Sequence, residues 1–488
     1  MVLKNGRLNR GRLARGQFSG YLADMLTTKR DASLFALLHK YDVPGPRYTS
    51  YPTVPIWSDQ VGPADFEKNL LAVSGSEPLS LYFHLPFCEK LCHFCGCMKV
   101  ITSDHSRSRT YVDVLLKEMD TVFAKLGHSK KHISQIHLGG GSPNFLQPDE
   151  LSQLMQKVRQ ECVILPGAEM AIEMHPRTTT PAFADRLKKE GFNRVSLGVQ
   201  DFDETVQRLI NRFQTYDMTR DMCVYLRDLG FKQFNFDLIY GLPGQTMATF
   251  ENTLKQTLTL KPDRLAVYSY AHVPWVSPVQ RSFKDEDIPS PETKLKLFQM
   301  AYAFFLDKGY QAIGMDHFAL ETDDLFKAKT DASVHRNFMG YSTRAEAHQI
   351  GFGVSAISYV NGQYFQNEKL LGAYQTLAGT GALMTHRGCL LSRDDQIRRE
   401  LITQLMCHMH VDVRAFEKDF AIHFADYFRD DLRLLTDFVA DGLLTLTPDH
   451  LTVVGFGHLF LRNMAMCFDR HLETIRKQAK NPVFSRTV

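Results

Sequence analysis

The 488-residue sequence lacks any apolar run approaching the roughly 18–20 residues of a membrane-spanning helix. It also lacks an excess of charge, because 57 Lys and Arg residues against 54 Asp and Glu residues leave a net charge of +3. A near-neutral balance argues against a nucleic-acid-binding protein. We therefore expect neither a membrane nor a nucleic acid among its partners. The 44% hydrophobic and 23% charged residues are ordinary for a globular protein.

A disulfide framework is missing as well, since four of the nine cysteines fall within residues 88–97. This clustering is typical of metal-binding thiols in a reducing compartment, so we expect a cytoplasmic protein. Cys88, Cys92 and Cys95 follow the spacing C-x3-C-x2-C, and thiolates favour zinc, copper(I) or iron–sulfur clusters. A structural zinc site needs a fourth ligand, whereas three thiolates on a [4Fe–4S] cubane leave one iron open for chemistry. The cysteines alone leave both alternatives open.

Apolar segments alternate with helical periodicity from residue 80 onwards. This alternation predicts a parallel sheet covered by helices, hence an α/β fold. The predicted strands are 80–85, 133–138, 169–174, 194–199, 233–239 and 264–270. The predicted helices are 109–126, 149–161, 181–190, 217–229, 247–259 and 292–308.

Polar and glycine-rich motifs follow these strands, at the edge where the chemistry of such folds takes place. The glycines of 139–143 (GGGSP) allow close approach of the backbone to a ligand. Glu173 follows the third strand, Gln200 the fourth and Asp237 the fifth, and Arg212 lies shortly after Gln200. Such carboxylate and amide groups suit a ribose or an ammonium group, and arginine suits a carboxylate.

Segment 80–100 (SLYFHLPFCEKLCHFCGCMKV) resembles the cluster loop of radical S-adenosylmethionine (SAM) enzymes. The Gly-Cys pair ending in Cys97 resembles the oxygen-independent coproporphyrinogen III oxidases, and the resemblance runs from about residue 34 to the C-terminus. It implies a partial (β/α)6 TIM-like radical SAM barrel with a mainly helical C-terminal domain. It also implies a [4Fe–4S] cluster held by Cys88, Cys92 and Cys95 but not by Cys97.

The same resemblance implies two bound SAM molecules. The implied SAM-binding residues are Tyr82, Phe94, Gly140, Gly141, Ser142, Glu173, Gln200, Arg212, Asp237, Ala271 and Ile357. A tetra-anionic porphyrinogen needs cations, and the candidates in motif segments are Arg47, Lys99 and Arg336.

We predict four regions along the chain. Residues 1–33 form a basic, disordered extension, although an Arg-rich, acid-poor leader is also typical of a transit peptide and residues 1–24 could precede the true start. Residues 34–79 form a substrate-sensing segment, residues 80–370 the catalytic barrel, and residues 371–488 a helical cap. Helices with a hairpin could also form a DNA-binding module, but the mixed charge of this region argues against it.

The implied reaction is the anaerobic oxidative decarboxylation of two propionates of coproporphyrinogen III to vinyl groups, through a 5′-deoxyadenosyl radical. The product is protoporphyrinogen IX, and the implied partners are this substrate and an electron donor such as a flavodoxin system, with the enzyme a monomer. The sequence departs from the family at His175, at Phe213 and in residues 342–351, which include Arg344. A radical SAM enzyme with another substrate and a non-catalytic haem-delivery relative therefore stay open.

Overall fold

The computed structural model describes residues 28–75, 77–127, 130–343, 348–479 and 483–487. Residues 1–27 lie outside the described residues, and so does most of the predicted basic extension. Its last part, residues 28–33, is not disordered, because helix Thr28–Tyr41 begins there. The leucines of this helix that face the C-terminal domain, Leu34 and Leu38, are fully buried and explain why the segment is helical.

Six consecutive parallel strands form the centre of the molecule, which confirms the predicted α/β barrel. Each strand pairs in parallel with the next one along the chain. Their bounds are Leu79–Leu85, Lys131–Gly140, Cys162–Met174, Arg194–Gln200, Gln233–Tyr240 and Arg264–Ser269. All six overlap the predicted strands, although the third begins at Cys162 and not at residue 169. We call them the first to sixth barrel strands.

Helices cover the outer face of these strands. Their bounds are Ser106–Lys125, Pro148–Glu161, Pro181–Lys189, Tyr216–Asp228, Met247–Thr259 and Pro291–Asp307, each close to its predicted range. Four begin where a hydroxyl accepts a hydrogen bond from a free backbone N–H: Thr180, Thr215, Thr246 and Ser290. Their apolar faces bury against strand residues such as Val195 and Leu197.

The sheet continues beyond the barrel at both edges and has twelve strands in the described residues. Beyond the sixth barrel strand lie His317–Leu320 and Tyr310–Ile313; beyond the first lie His348–Phe352, Ile357–Val360, Gln363–Asn367 and Thr385–Cys389. The last strand differs from the predicted division at residue 370, because residues 385–389 pair with residues 364–367 and belong to the barrel sheet. The cap begins after this strand.

The C-terminal region is mainly helical, as predicted, but its helices are shorter than the sequence pattern indicates. Helix Arg393–His408 is followed by Val413–Phe420, Phe424–Tyr427, Arg429–Leu434 and Thr436–Ala440, and the closing helices are Leu461–Met466 and Leu472–Gln478. The predicted hairpin forms strands Leu444–Leu446 and His450–Val453, and His410–Asp412 adds a third strand. Left-handed residues Met409 and Ala421 end the first two helices.

Shorter elements connect these layers. The remaining helices are Pro63–Leu71, Glu204–Leu209, Asp324–Thr330 and Leu371–Ala378, and the remaining strand pairs are Phe87–Cys88 with Val100–Ile101 and His335–Asn337 with Gly340–Ser342. Within the described part of the chain, no helix combines the length and the apolarity needed to cross a bilayer.

The N-terminal segment is held in place by the end of the chain. Pro44 pairs with Arg486 in an isolated bridge, and buried Arg462 donates to the carbonyls of Pro46 (2.9 Å) and Arg486 (3.0 Å). These contacts fix the backbone immediately before Arg47, whose guanidinium donates to the Ser269 carbonyl at the end of the sixth barrel strand (2.9 Å). The segment therefore lies over the barrel opening.

Candidate active site

A cavity of about 480 Å³ opens at the carboxyl ends of the barrel strands. All three predicted cluster ligands line it, together with most of the other predicted site residues. The latter are Phe94, Gly140, Gly141, Ser142, Glu173, Gln200, Arg212, Asp237, Arg47, Lys99 and Arg336. Residues more than 200 positions apart thus meet at one opening.

Two anchors hold the cysteine loop at this opening. Cys88 lies on the short strand Phe87–Cys88, which pairs with Val100–Ile101. On the other side, the backbone N–H of His93 donates to the Ile210 carbonyl (2.9 Å), and the Asn211 amide donates to the Leu91 carbonyl (2.8 Å). The half-buried thiols of Cys88, Cys92 and Cys95 therefore stay on the cavity side.

The surroundings of the cysteine loop favour the thiolate at Cys95 and the neutral thiol at Cys88. A hydrogen bond from Cys97 lowers the pKa of Cys95 to about 6, whereas burial raises the pKa of Cys88 to about 11. The Arg212 guanidinium donates to the Cys92 sulfur at 3.6 Å. Among the described residues, no three ligating side chains surround a single point, as they would around one metal ion. A cubane does not require such a point, because each of three thiolates would bind a different iron.

The glycine motif passes directly beneath the cysteine loop. Gly141 donates to the Leu85 carbonyl (2.8 Å), and a Cβ atom there would lie 2.6 Å from the backbone of Pro86. Gly140 has a φ of +110°, a conformation that favours glycine. The next residue, Ser142, places its hydroxyl 3.6 Å from the Cys88 sulfur. No side chain fits between the two segments, so the backbone itself faces the cavity.

Two half-buried carboxylates line the cavity, Glu173 on the third barrel strand and Asp237 on the fifth. Burial alone would raise the pKa of Glu173, but hydrogen bonds from His137 (3.0 Å) and the Gly140 N–H (3.3 Å) hold it below its ordinary value. Burial and the nearby Glu173 raise the pKa of Asp237 to about 6. Two carboxylates in one cavity favour a cationic ligand, and SAM carries both an ammonium and a sulfonium group.

Buried polar atoms without a partner show that the cavity fits a polar ligand. The side-chain oxygen of Gln200 and the Nε of Arg212 are buried and make no hydrogen bond within the described structure. Such groups cost free energy unless something pairs with them. Arg212 is held by the Gly198 carbonyl (2.5 Å) and the Cys92 sulfur, which leaves its charge for an anionic group such as the carboxylate of SAM.

The three predicted substrate cations line the same cavity. Lys99 donates to the carbonyls of Cys95 (3.1 Å) and Cys97 (3.2 Å), so it closes the cysteine loop as well. Arg336 is buried, with its nearest guanidinium nitrogen 3.8 Å from an Asp316 oxygen and its Nε without a hydrogen-bond partner. It lies over the Tyr341 ring at 4.7 Å.

Three predicted SAM-binding residues do not line the cavity. Tyr82 lies beneath the glycine motif, where its hydroxyl bonds to His84 at 3.0 Å. The carbonyl of Ala271 accepts from Gln280, which also reaches the Phe94 carbonyl (both 3.3 Å). Ile357 lines a smaller cavity next to Arg336. Residues 344–347, including Arg344, lie outside the described residues.

The cavity also has walls that the sequence analysis did not assign. Tyr268, Asn211, Met339 and Arg177 line it, and so does His175, which the sequence marked only as a departure from the family. Tyr268 could have been predicted as a site residue, because it lies at the carboxyl end of the sixth barrel strand. The other residues lie in loops, whose course a strand–helix pattern does not predict.

Comparison with known proteins identifies the relatives of this architecture. Residues 82–257 match the radical SAM superfamily, and residues 391–454 match the HemN C-terminal domain. The oxygen-independent coproporphyrinogen III oxidases of Escherichia coli K12 and Pseudomonas aeruginosa are 43% and 41% identical over 453 and 456 residues, in each case 93% of this chain and 98% of the relative. The solved structure of coproporphyrinogen III oxidase (HemN) from Escherichia coli, a radical SAM enzyme, matches with a TM-score of 0.83 at 42% identity, covering 87% of this chain and 97% of that one.

Proposed function

The chain belongs to the family of oxygen-independent coproporphyrinogen III oxidases, and we propose which of its residues carry out the family's reaction. The enzyme is a radical SAM oxidoreductase of haem biosynthesis. It converts two propionate side chains of coproporphyrinogen III to vinyl groups with loss of CO2, giving protoporphyrinogen IX. When bound, the [4Fe–4S] cluster and SAM supply the 5′-deoxyadenosyl radical that abstracts hydrogen.

We propose that Cys88, Cys92 and Cys95 hold the cluster. Their shared position on the cavity wall and the cation of Arg212 beside Cys92 support this assignment. Cys97 acts only through its hydrogen bond to Cys95. The hydrogen bonds that join the loop to Ile210 and Asn211 fix the thiols relative to Arg212, because Ile210, Asn211 and Arg212 are consecutive residues.

The remaining cavity residues are assigned to two SAM molecules. The unpartnered atoms of Gln200 and Arg212 are the observation that carries this assignment, because they require a polar ligand. Arg212 would bind a carboxylate, and Glu173 and Asp237 would bind ammonium or ribose groups. The backbone of Gly140 and Gly141 and the hydroxyl of Ser142 complete the SAM contacts, and Phe94 packs beside them. Three predicted residues do not line the cavity and would support the SAM-binding residues indirectly: Tyr82, Ala271 and Ile357.

Arg47, Lys99 and Arg336 are proposed to bind the propionates of the porphyrinogen. A tetra-anion that leaves water for a cavity needs cations at its carboxylates. The segment that carries Arg47 lies over the opening, where it can also exclude water from the reacting groups. We further propose a cytoplasmic monomer that receives electrons from a carrier such as a flavodoxin system.

Anaerobic incubation of the reconstituted enzyme with coproporphyrinogen III, SAM and a reductant tests this function. We expect protoporphyrinogen IX together with methionine and 5′-deoxyadenosine. Cleavage of SAM without any vinyl product would favour a radical SAM enzyme with another substrate. Binding of the porphyrinogen without cleavage of SAM would favour a haem-delivery relative.

A further inference from the structure

A second, smaller cavity adjoins the active-site cavity on the side of the C-terminal domain. Its volume is about 30 Å³, and it shares Thr49, Arg336 and Phe338 with the main cavity. We call it the side cavity. Its far wall is formed by Arg399, on helix Arg393–His408, together with Tyr359 and Tyr364.

The lining of the side cavity carries positive charge and no opposing carboxylate. Arg336 and Arg399 are its two cationic residues, and neither Asp nor Glu is among the described residues that line it. The main cavity differs, because Glu89, Glu173 and Asp237 line it as well. An excess of two guanidinium groups over carboxylates, one buried and one half-buried, favours an anionic occupant.

Arg399 is held rigidly but is not neutralised. Its Nε donates to the Tyr364 hydroxyl (3.0 Å), and its guanidinium lies 4.4 Å from the centre of the Tyr359 ring. Both contacts orient a cation without cancelling its charge. The next residue, Glu400, accepts a hydrogen bond from Gln404 instead (3.0 Å). Within the described chain, Arg399 has no carboxylate partner.

Arg336 completes the site from the boundary between the two cavities. It is 93% buried, and its Nε and one terminal nitrogen have no hydrogen-bond partner in the described structure. Asp316, at 3.8 Å, also accepts a 2.7 Å contact from His317, so its charge is shared. Burial, with a smaller contribution from the positive field of Arg399, lowers the pKa of nearby His335 to about 4 and keeps that imidazole neutral.

The size of the side cavity matches one carboxylate group. A cavity needs about 10–15 Å³ of such volume for one water, so about 30 Å³ holds two oxygen-sized atoms and excludes a pyrrole ring. The planar fork of a guanidinium matches the two oxygens of a carboxylate. The opening towards the main cavity would let a flexible side chain enter while its ring stays outside.

We propose that the side cavity is a subsite for one propionate arm of the tetrapyrrole, with its carboxylate bound between Arg399 and Arg336. This inference rests on the proposed function and assigns to the C-terminal domain a direct contact with the substrate. Arg399 is then a residue that determines which tetrapyrroles bind, because a substrate lacking a carboxylate at this arm leaves the buried Arg336 and the half-buried Arg399 without an anionic partner in the side cavity.

Binding to the reconstituted holoenzyme under anaerobic conditions tests the subsite. The probes are coproporphyrin III, with four carboxylates, and its tetramethyl ester, with none; the variants are Arg399→Gln and, as a control on the same helix, exposed Arg393→Gln. Arg399→Gln should weaken binding of the tetra-acid by about ten- to a hundredfold and leave binding of the ester unchanged. Arg393→Gln should bind both probes like the wild type.

Arg399→Lys protects the test against a folding defect. Lysine keeps the charge but cannot form two parallel hydrogen bonds, so this variant should show an intermediate loss for the tetra-acid with normal iron content. The inference is overturned if Arg399→Gln, or Arg399→Lys where Gln does not fold, binds the tetra-acid like the wild type or weakens both probes equally. Failure of the proposed function would be distinguishable from failure of the subsite, because the wild-type enzyme itself would then form no vinyl product.

Discussion

Two groups of buried arginines lie at opposite ends of the same barrel strands and differ in their partners. Arg194 and Arg264 begin the fourth and sixth barrel strands, at the closed end. Arg212 and Arg336 lie at the open end. All four are less than 10% exposed. The extent of burial is therefore similar for all four arginines, and the two ends of the barrel differ in the partners of these side chains.

At the closed end the protein neutralises its own charges. Arg194 contacts Glu169 (3.0 Å) and Asp323 (3.5 Å), and Arg264 contacts Asp323 (2.5 Å). Burial alone would raise the pKa of Glu169, but the two guanidinium groups lower it to about 2. At the open end, Arg212 has a carbonyl and a cysteine sulfur for partners. Arg336 at the open end has Asp316 at 3.8 Å, and each of the four guanidinium groups keeps at least one buried nitrogen without a hydrogen-bond partner in the described structure. We propose that the ion pairs at the closed end stabilise the fold and that the weakly paired cations at the open end bind ligands.

Loss of a cluster ligand should have the largest effect at the open end. Cys92→Ser should abolish cluster assembly and SAM cleavage, because the two remaining thiolates are too few to hold the cluster. Cys97→Ser is the matched control, and it should retain most of the iron and the electron paramagnetic resonance signal. Normal iron loading in Cys92→Ser would refute the assignment of the ligands.

Removal of a cation at the closed end should affect stability instead. Arg194→Met leaves buried carboxylates with one guanidinium between them, and breaking a buried pair of this kind costs about 3–5 kcal/mol in the free energy of unfolding. Denaturant unfolding of the variant measures this loss. The exposed Arg220→Met, which also removes ion pairs, should unfold almost like the wild type. Equal unfolding of all three proteins would contradict a stabilising role for the network.

Removal of a cation at the open end should affect catalysis and not stability. Arg212→Ala should lower porphyrinogen conversion, because losing a charge-assisted contact costs about 1.5–3 kcal/mol, or about ten- to a hundredfold in binding. Arg212→Lys should recover little, since an ammonium does not reproduce the planar geometry. Steady-state kinetics at varied SAM concentration measures both variants. A wild-type rate at low SAM in Arg212→Ala would contradict the assignment.

The carboxylate Asp237 should make the stability of the SAM-free enzyme depend on pH. Its pKa is about 6 in the fold and about 3.9 in an unfolded chain. The folded state therefore binds the proton more tightly, and the contribution of Asp237 to stability grows as the pH falls from about 6 to about 4. Asp237→Asn should unfold at a higher temperature than the wild type at pH 7, with a smaller difference at pH 5. A difference that does not change with pH would exclude this titration.

The smallest effect is expected outside both ends of the barrel. Deletion of residues 1–24 should leave turnover and the unfolding temperature nearly unchanged, because this segment lacks the apolar periodicity needed to pack. Turnover assays and thermal unfolding of the truncated enzyme test this expectation. A large loss of either property would indicate that the basic segment binds the fold or the substrate.

The sequence predicts the barrel better than the surroundings of its opening. The six barrel strands are continuous apolar runs followed by helices, so local pattern and tertiary environment agree. The strand Thr385–Cys389 was missed because its pairing partner, Gln363–Asn367, is antiparallel and defined only by tertiary contact. The periodic sequence after Val413 does not form one long helix, because left-handed Ala421 ends helix Val413–Phe420.

The candidate site shows the same limit. Spacing predicts Cys88, Cys92 and Cys95 as cluster ligands, and strand ends predict Glu173 and Gln200 as ligand-binding residues. In contrast, Arg399 lies on a helix more than 300 residues after the cysteines, and only packing of the C-terminal domain brings it to the side cavity. Among the described residues that line the side cavity there is no carboxylate; this is a property of three-dimensional contacts, and no spacing in the sequence encodes it.

The amount of SAM bound per cluster tests most directly whether the open-end charges serve ligands. Equilibrium dialysis of the reconstituted enzyme should find two SAM molecules per [4Fe–4S] cluster in the wild type and in Arg194→Met that remains folded. Arg212→Ala should lose the second SAM at concentrations that saturate the wild type while retaining its iron and its unfolding temperature. If Arg212→Ala binds as much SAM as the wild type and forms product at the same rate, the proposed division between the two ends of the barrel is wrong.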